Sequence, residues 1–561
     1  MRMGMSRKTS NDDDYTTRSV RRRRFLQSSA AVGAVGLAGC SGSDGTDTNG
    51  ESDGNSNTNS GGDDTSTESS SSDRQGGTLI AGMQGGLDGR DPHAVQAAST
   101  LRVLENVYQK LVRIDEELKP VGQLAREWTV SDDELTWTFH LREGVMWHPP
   151  ESREFVATDV VYSFERLLDE DVGSPWRSNF TPVSSVSAEG DYTVVFEFEQ
   201  PYAPFLYKLS SGGYILPEGA DAATDYDIDE QPVGTGPFVF DENVPQARTE
   251  VSAFDSYWET DDEGNALPYL DGIEFRIIPE GQARLTNLQS GSIDWAVTVP
   301  PSQASSLENS NAVTLSNIPG TFYDYLGHNT TREPLDDVRL RQAISWAINR
   351  EAIVQGARFN YATPTQDPIP PSSVWKDLVS VDDPYSQNQE RARTLREESD
   401  YDGEELTIQV GQQYPQQVTI GEIIQQQLSE VGITASVQPT DFGSMISNLN
   451  AGEYDLTIVG WSGFVDPDDM MYLQFHSGET FNQSNYSNEE VDQLLEQGRQ
   501  AAGSREERAE FYDEAIDIIA EEVPYTFLEF NDELAAWRNS VQNFTHISTG
   551  TPYFTTTWLN E

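Results

Sequence analysis

In LTWTFHL, Leu135, Trp137, Phe139 and Leu141 alternate with Thr136, Thr138 and His140, the two-residue period of a half-buried strand. Val194, Phe196 and Phe198 repeat that period within DYTVVFEFE. Between them, Ala157 to Leu168 (ATDVVYSFERLL) predicts a helix, with Thr158 placed to cap its start. The most informative pattern lies between 404 and 460. Leu406, Ile408 and Val410 predict a strand, Ile420, Ile424, Leu428 and Val431 a helix, and Ile433, Ala435 and Val437 a second strand. Phe442, Met445, Ile446 and Leu449 then mark a helix stopped near Gly452, and DLTIVG a third strand. This β-α-β-α-β order predicts a parallel sheet with helices packed on it. Ser504 and Glu507 form a capping box ahead of a helix whose Tyr512, Ile516 and Ile519 share one face. No internal repeat of fixed period is present.

Open α/β sheets bind ligands outside the carboxyl ends of their strands. GWSGFVDPDD, residues 460–469, begins where the third strand ends and is expected at the mouth of such a crevice. Three chemistries compete for it: a metal loop, a catalytic carboxylate pair, or one wall of a binding cleft.

Length allows about three domains, but the first 75 residues read differently from the rest. Arg22, Arg23, Phe25 and Leu26 fit the twin-arginine export pattern, and a short run of Ala, Val and Gly leads into Leu37-Ala38-Gly39-Cys40, a lipobox whose cysteine is acylated after cleavage. The run is too short to span a bilayer. Residues 41–75 are almost devoid of apolar side chains, are rich in Ser, Thr, Gly and Asp, and predict a flexible leash. A domain tethered in this way works beside a membrane without entering it, on the extracellular face.

The chain has 36 basic and 93 acidic residues; the first 39 positions hold 8 of the former and 3 of the latter, leaving 28 against 90. Such an excess of acid argues against nucleic-acid binding. Spread along the whole chain with only Lys110, Lys119, Lys208 and Lys376 after the leader, it reads as a halophile's surface, whose self-repulsion salt screens.

Metal ligation is not favoured. His93, His140, His148, His328, His476 and His546 are scattered, and Met470 and Met471 occupy places where a calcium loop after Asp466, Asp468 and Asp469 needs oxygen ligands and a glycine. GWSGF is not a nucleophile elbow, because Phe464 stands where the last glycine belongs, and no phosphate loop of the G-x-x-x-x-G-K type occurs. With so many acids, a hydrolytic carboxylate pair can be proposed almost anywhere and is unspecific. No cofactor is expected. Trp461, beside small Ser462 and Gly463 at a strand end, suits stacking on a ligand.

Several segments together resemble the family 5 solute-binding proteins of ABC importers, the dipeptide, oligopeptide and nickel type. They are residues 121–148 (VGQLAREWTVSDDELTWTFHLREGVMWH), FVATDVVYSFERLL (155–168), PVGTGPF (232–238), PLDDVRLRQAISWAINREAIV (334–354) and GWSGFVDPDD itself. With its leader, the chain resembles a haloarchaeal twin-arginine lipoprotein. The resemblance implies an α/β, two-lobed periplasmic-binding-protein-like fold of class II with an extra subdomain on the first lobe. Residues 76–108, 202–320 and 531–561 are expected to form lobe I, 109–201 the extra subdomain and 321–530 lobe II. It implies a monomer, not an enzyme, that closes on a small solute and delivers it to ABC permease subunits with their ATPases.

Two departures stand out. The family's W-H-D-G is replaced by Trp147-His148-Pro149-Pro150, a loop expected to be reshaped away from the ligand. Peptide binders of the family often show G-W-x-x-D, whose aspartate pairs with the ligand's α-amino group; here Phe464 takes its place and Asp466 follows two residues later. A buried ammonium without its counter-ion is expensive. The solute is therefore a peptide with Asp466 as substitute clamp, or an oligosaccharide or other neutral solute stacked on Trp461, Tyr323, Tyr325 and Trp295. A secreted hydrolase is the distant third reading.

Overall fold

A computed structural model describes residues 74–220, 227–381, 385–461, 465–501 and 503–560. Cys40, Arg22 and Arg23 lie outside the described residues, as do Ser462, Gly463 and Phe464.

An eleven-stranded mixed sheet organises the fold. From one edge its strands are Ala435–Thr440, Leu406–Gly411, Leu456–Trp461, Val313–His328, Tyr525–Arg538, Trp295–Val297, Thr78–Met83, Gly272–Ile277, Arg248–Ala253 and Phe238–Val244, with Ala362–Pro364 added on Tyr525–Arg538. The first three are parallel, in the register Ile408 to Val437 and Ile408 to Leu456, and helices Pro415–Glu430 and Phe442–Asn450 connect them. Ile420, Ile424 and Leu428 are buried together with Ile408, Val410 and Ile458, so the β-α-β-α-β reading describes this half of the molecule.

The other half gathers around Thr78–Met83 and Gly272–Ile277, whose Leu79, Ala81, Ile273 and Phe275 share a core with Trp295 and Phe554. A separate antiparallel sheet, Ala125–Val130, Thr136–Leu141, Thr193–Phe198 and Val183–Ala188, carries its own core. Trp137, Phe139 and Leu141 point inward there, as their alternation requires. Helix Ala157–Leu168 covers this sheet. Its first turn is not capped by Thr158, whose hydroxyl donates to Glu218; instead Asp159 accepts from the Val156 N–H at 3.0 Å, and also holds Arg153 and the Trp147 indole. Trp147 is buried there, and His148, bonded to the Gly236 carbonyl through Nε2 at 2.9 Å, is buried as well.

Two long antiparallel strands, Val313–His328 and Tyr525–Arg538, belong to both halves of the sheet. Val313–Pro319 pair with Arg538–Asp532 beside Trp295–Val297, whereas Tyr323–Gly327 pair with Phe530–Tyr525 beside Leu456–Trp461. The register slips between Pro319 and Tyr323 and again between Asp324 and Tyr325. At the first slip Gly320 approaches so closely that a Cβ would fall 2.4 Å from the Asn531 carbonyl oxygen. Such an irregularity bends a strand pair locally. Among the described residues no helix is long and apolar enough to cross a membrane.

Candidate functional site

A cavity of about 720 Å³ lies between the halves, with Arg102, Glu105 and Tyr214 on one wall and Trp461, Asp469 and Phe481 on the other. Helix Ala98–Leu104 supplies the first wall: Arg102 sits in its last turn and Glu105 is its C-cap, three residues apart and hence on one face. Glu105 Oε1 accepts from Lys110 Nζ at 2.5 Å and from the Tyr214 hydroxyl at 2.6 Å. Its Oε2 is buried without a completed hydrogen bond, although the Tyr553 phenol lies against the same carboxylate. The backbone behind it is held by PVGTGPF: at Gly234 a Cβ would collide with the Val107 carbonyl oxygen, 1.8 Å away.

The second wall begins where strand Leu456–Trp461 ends. Trp461 donates its indole N–H to the Asp469 carbonyl oxygen at 3.2 Å, and its ring meets Phe481 edge to face with centroids 4.9 Å apart. Helix Pro467–Phe475 follows, and its three aspartates have three different partners. Asp466 caps it through the Asp468 N–H and is clamped by Arg508, whose Nη1 and Nη2 lie 2.8 and 2.9 Å from its oxygens. Asp468 takes a two-pronged bond from Arg499 at 2.7 and 3.0 Å. Asp469 is bonded by Lys208, whose Nζ also lies 3.2 Å from Asp468. Lys208 comes from helix Phe205–Gly212 of the opposite half, so this ion pair crosses the interface, as does the hydrogen bond from the Ala203 N–H to the Arg499 carbonyl.

Burial raises the Asp469 carboxyl to about 6; Lys208 pulls against that shift and neighbouring Asp468 adds to it. Asp468 is buried as well, yet the charges of Arg499 and Lys208 outweigh burial and hold it well below the usual carboxylate range. Burial opposes the charge on Lys208, but Asp469, Tyr202 and Asp468 keep it above the ordinary lysine range. Two cations thus serve two adjacent acids, and Asp469 has the weaker share.

Of the expected ligand residues that the structure describes, only Trp461 lines the cavity. Asp466 is fully buried and committed to Arg508 and its helix cap, which corrects its assignment as a substitute ammonium clamp. Tyr323 and Tyr325 are core residues: Gln474 donates to the Tyr323 hydroxyl at 2.6 Å, and Tyr325 stacks on Tyr525 with centroids 4.0 Å apart. Trp295 packs edge to face on Phe544 and Phe554 in the other half. Stacking on a solute is corrected for all three by burial on the core face of their strands. Arg102, Glu105, Lys208 and Asp469 escape pattern reading. One signal was present: of four lysines after the leader, Lys110 and Lys208 lie in largely apolar runs, and both are buried in ion pairs. Among the described residues no group of three or more metal-ligating side chains is assembled.

Residues 119–482 match the middle region of the bacterial extracellular solute-binding proteins, family 5. The chain belongs to this family. The dipeptide-binding protein of Escherichia coli (strain K12) is 28% identical to this solute-binding protein over 507 residues, 84% of this chain and 92% of its own length. CtaP of Listeria monocytogenes, an ABC transporter substrate-binding protein, superposes with TM-score 0.78 at 28% identity, covering 87% of this chain and 100% of its own. DppA of Helicobacter pylori, in complex with the peptide STSA, superposes with TM-score 0.74 at 25% identity, covering 87% and 99%. The solute-binding protein therefore has the mixed α/β, two-lobed fold of these neighbours, and its cavity lies between the lobes.

Proposed function

We propose that this protein is the extracellular, lipid-anchored, monomeric binding component of an ABC import system, capturing a peptide between its lobes and delivering it to permease subunits driven by ATPases. The observation that carries this reading is the interlobe cavity, walled by both halves and lined with aromatic and ionisable groups, as pockets for small polar solutes are. Relatives named for dipeptides, and a neighbour holding a tetrapeptide, support peptide as the solute. Lobe I is assigned to 76–108, 202–320 and 531–561, with its subdomain at 109–201, and lobe II to 321–530; the slip at Gly320 supports that boundary. Export and anchoring rest on Arg22, Arg23, Cys40 and the acidic leash, and screening of the surface charge on a saline environment. Chemistry belongs to partner chains.

A thermal-shift screen in molar KCl with di- to pentapeptides and oligosaccharides tests the solute. A ligand at 100 times its dissociation constant stabilises by about 2.7 kcal/mol. Peptides are expected to raise the melting temperature; a screen in which only sugars do so replaces this reading with the neutral-solute one, which the Trp461–Phe481 pair favours. Lipid anchoring fails if Cys40→Ser leaves membrane association unchanged.

A further inference from the structure

Arg102 differs from the other charged groups around the cavity. Its side chain is nine-tenths buried, yet among the described residues no carboxylate comes within ion-pairing distance of it. Nε donates to the Gly550 carbonyl at 3.1 Å, and the terminal nitrogens make no hydrogen bond to the described protein. The acid whose charge acts on Arg102, Glu533, packs behind Gly550, where a Cβ on that glycine would stand 3.0 Å from its carboxyl carbon. It acts on Arg102 through space rather than by contact, while burial pushes the guanidinium below its ordinary value. A second guanidinium, Arg284, adds its positive charge nearby while bonding the carbonyls of Ile278, Pro279 and Thr298. The other cation of the cavity wall, Lys110, is bound by Glu105.

A buried guanidinium left without a counter-ion is unfavourable unless something outside the fold supplies one. In a chain with 93 acidic residues the fold has many carboxylates to offer, and leaves this position, open to the cavity, without one. The planar fork of an arginine matches a carboxylate in two parallel hydrogen bonds.

We infer that Arg102 is the oxyanion receptor of the cavity, and that the solute presents a carboxylate to its free edge. This rests on reading the cavity as the solute site, and for a peptide it means that the free C-terminus is recognised from lobe I. A fully neutral solute leaves the guanidinium unpaired and is excluded.

The test uses the mature chain in molar KCl and a panel of di- to pentapeptides, each as the free acid and as the C-terminal amide. Calorimetry should show free acids binding at least about tenfold tighter than their amides, as loss of a charge-assisted pair requires. In Arg102→Gln the ratio should collapse towards one, with the amide's own affinity little changed. Equal affinity of acid and amide for the wild type overturns the proposal and leaves the peptide reading standing. Should no peptide bind in either form, the peptide reading fails, and a panel of small mono- and dicarboxylic acids against their methyl esters decides. Preference for the acids, lost in Arg102→Gln, sustains the receptor; no binding, or none of that preference, ends it. The ligand-free variant must melt no lower than the wild type, because it loses an unpaired buried charge. A clear fall would make Arg102 a structural brace for Gly550 and also overturn the proposal.

Discussion

The two walls of the cavity differ at one buried charge: Glu105 and Lys110 are paired on the first wall as the aspartates are on the second, whereas Arg102 is not. On the Trp461 side, Asp466, Asp468 and Asp469 are all answered: by Arg508, by Arg499, and by Lys208 reaching across from the opposite half. On the opposite side, Arg102 is buried with no ion-pair partner among the described residues. Paired charges build a frame and hold the halves together; an unpaired one waits for a ligand. All these groups are desolvated, and only their partners distinguish them.

Removing one member of the frame should produce the largest effect. Asp466→Ala strips a helix cap and leaves the Arg508 guanidinium buried without its acid, at a cost of about 3–5 kcal/mol in denaturant unfolding. A loss below about 1 kcal/mol would mean that the bidentate pair carries no structural weight, and that the walls are alike.

Asp469 sharpens the comparison through pH. Its folded value, about 6, lies above that of an unfolded carboxylate. Its contribution to stability is therefore complete below about pH 4 and is lost as pH rises through 6, by at most about 3 kcal/mol. The stability of the wild type minus that of Asp469→Asn should fall between pH 4 and 7. A difference that grows over that window would make Asp469 an ordinary, fully paired carboxylate.

The aromatics give smaller effects with opposite signatures. Tyr323→Phe removes the Gln474 hydrogen bond and should cost about 1 kcal/mol of stability without touching solute affinity. Trp461→Ala should weaken solute binding, since its ring lines the cavity, and retained affinity would return it to a purely structural role. The smallest change in stability is expected for ligand-free Arg102→Gln, where there is no ion pair to lose.

These contrasts also mark where sequence reading stops. The period of Leu406, Ile408 and Val410 and the spacing of Ile420, Ile424 and Leu428 contain the parallel unit, because burying one face needs only local pattern. Trp461 was legible for the same reason, being the strand's last residue. Parity placed Tyr323 and Tyr325 on one face of a strand but could not say which. The opposite face carries Asp324, paired with Arg358, which also binds Glu529, in register with Asp324 on the other long strand. Asp466 was visible as an acid near the crevice, whereas its partner Arg508 stands 42 positions later, a distance over which no periodicity runs. Whether a charge is answered is a property of the assembled fold, which is why Arg102 left no mark in the pattern.

A solute that bridges both walls is expected to draw the two lobes together, with the register slip beside Gly320 as the place where the long strands can bend. Small-angle scattering in molar KCl, with and without saturating free-acid peptide from the panel, tests this directly. A smaller radius of gyration with peptide, restored to the ligand-free value when the peptide is dialysed out, is predicted. An identical radius under confirmed saturation would contradict closure.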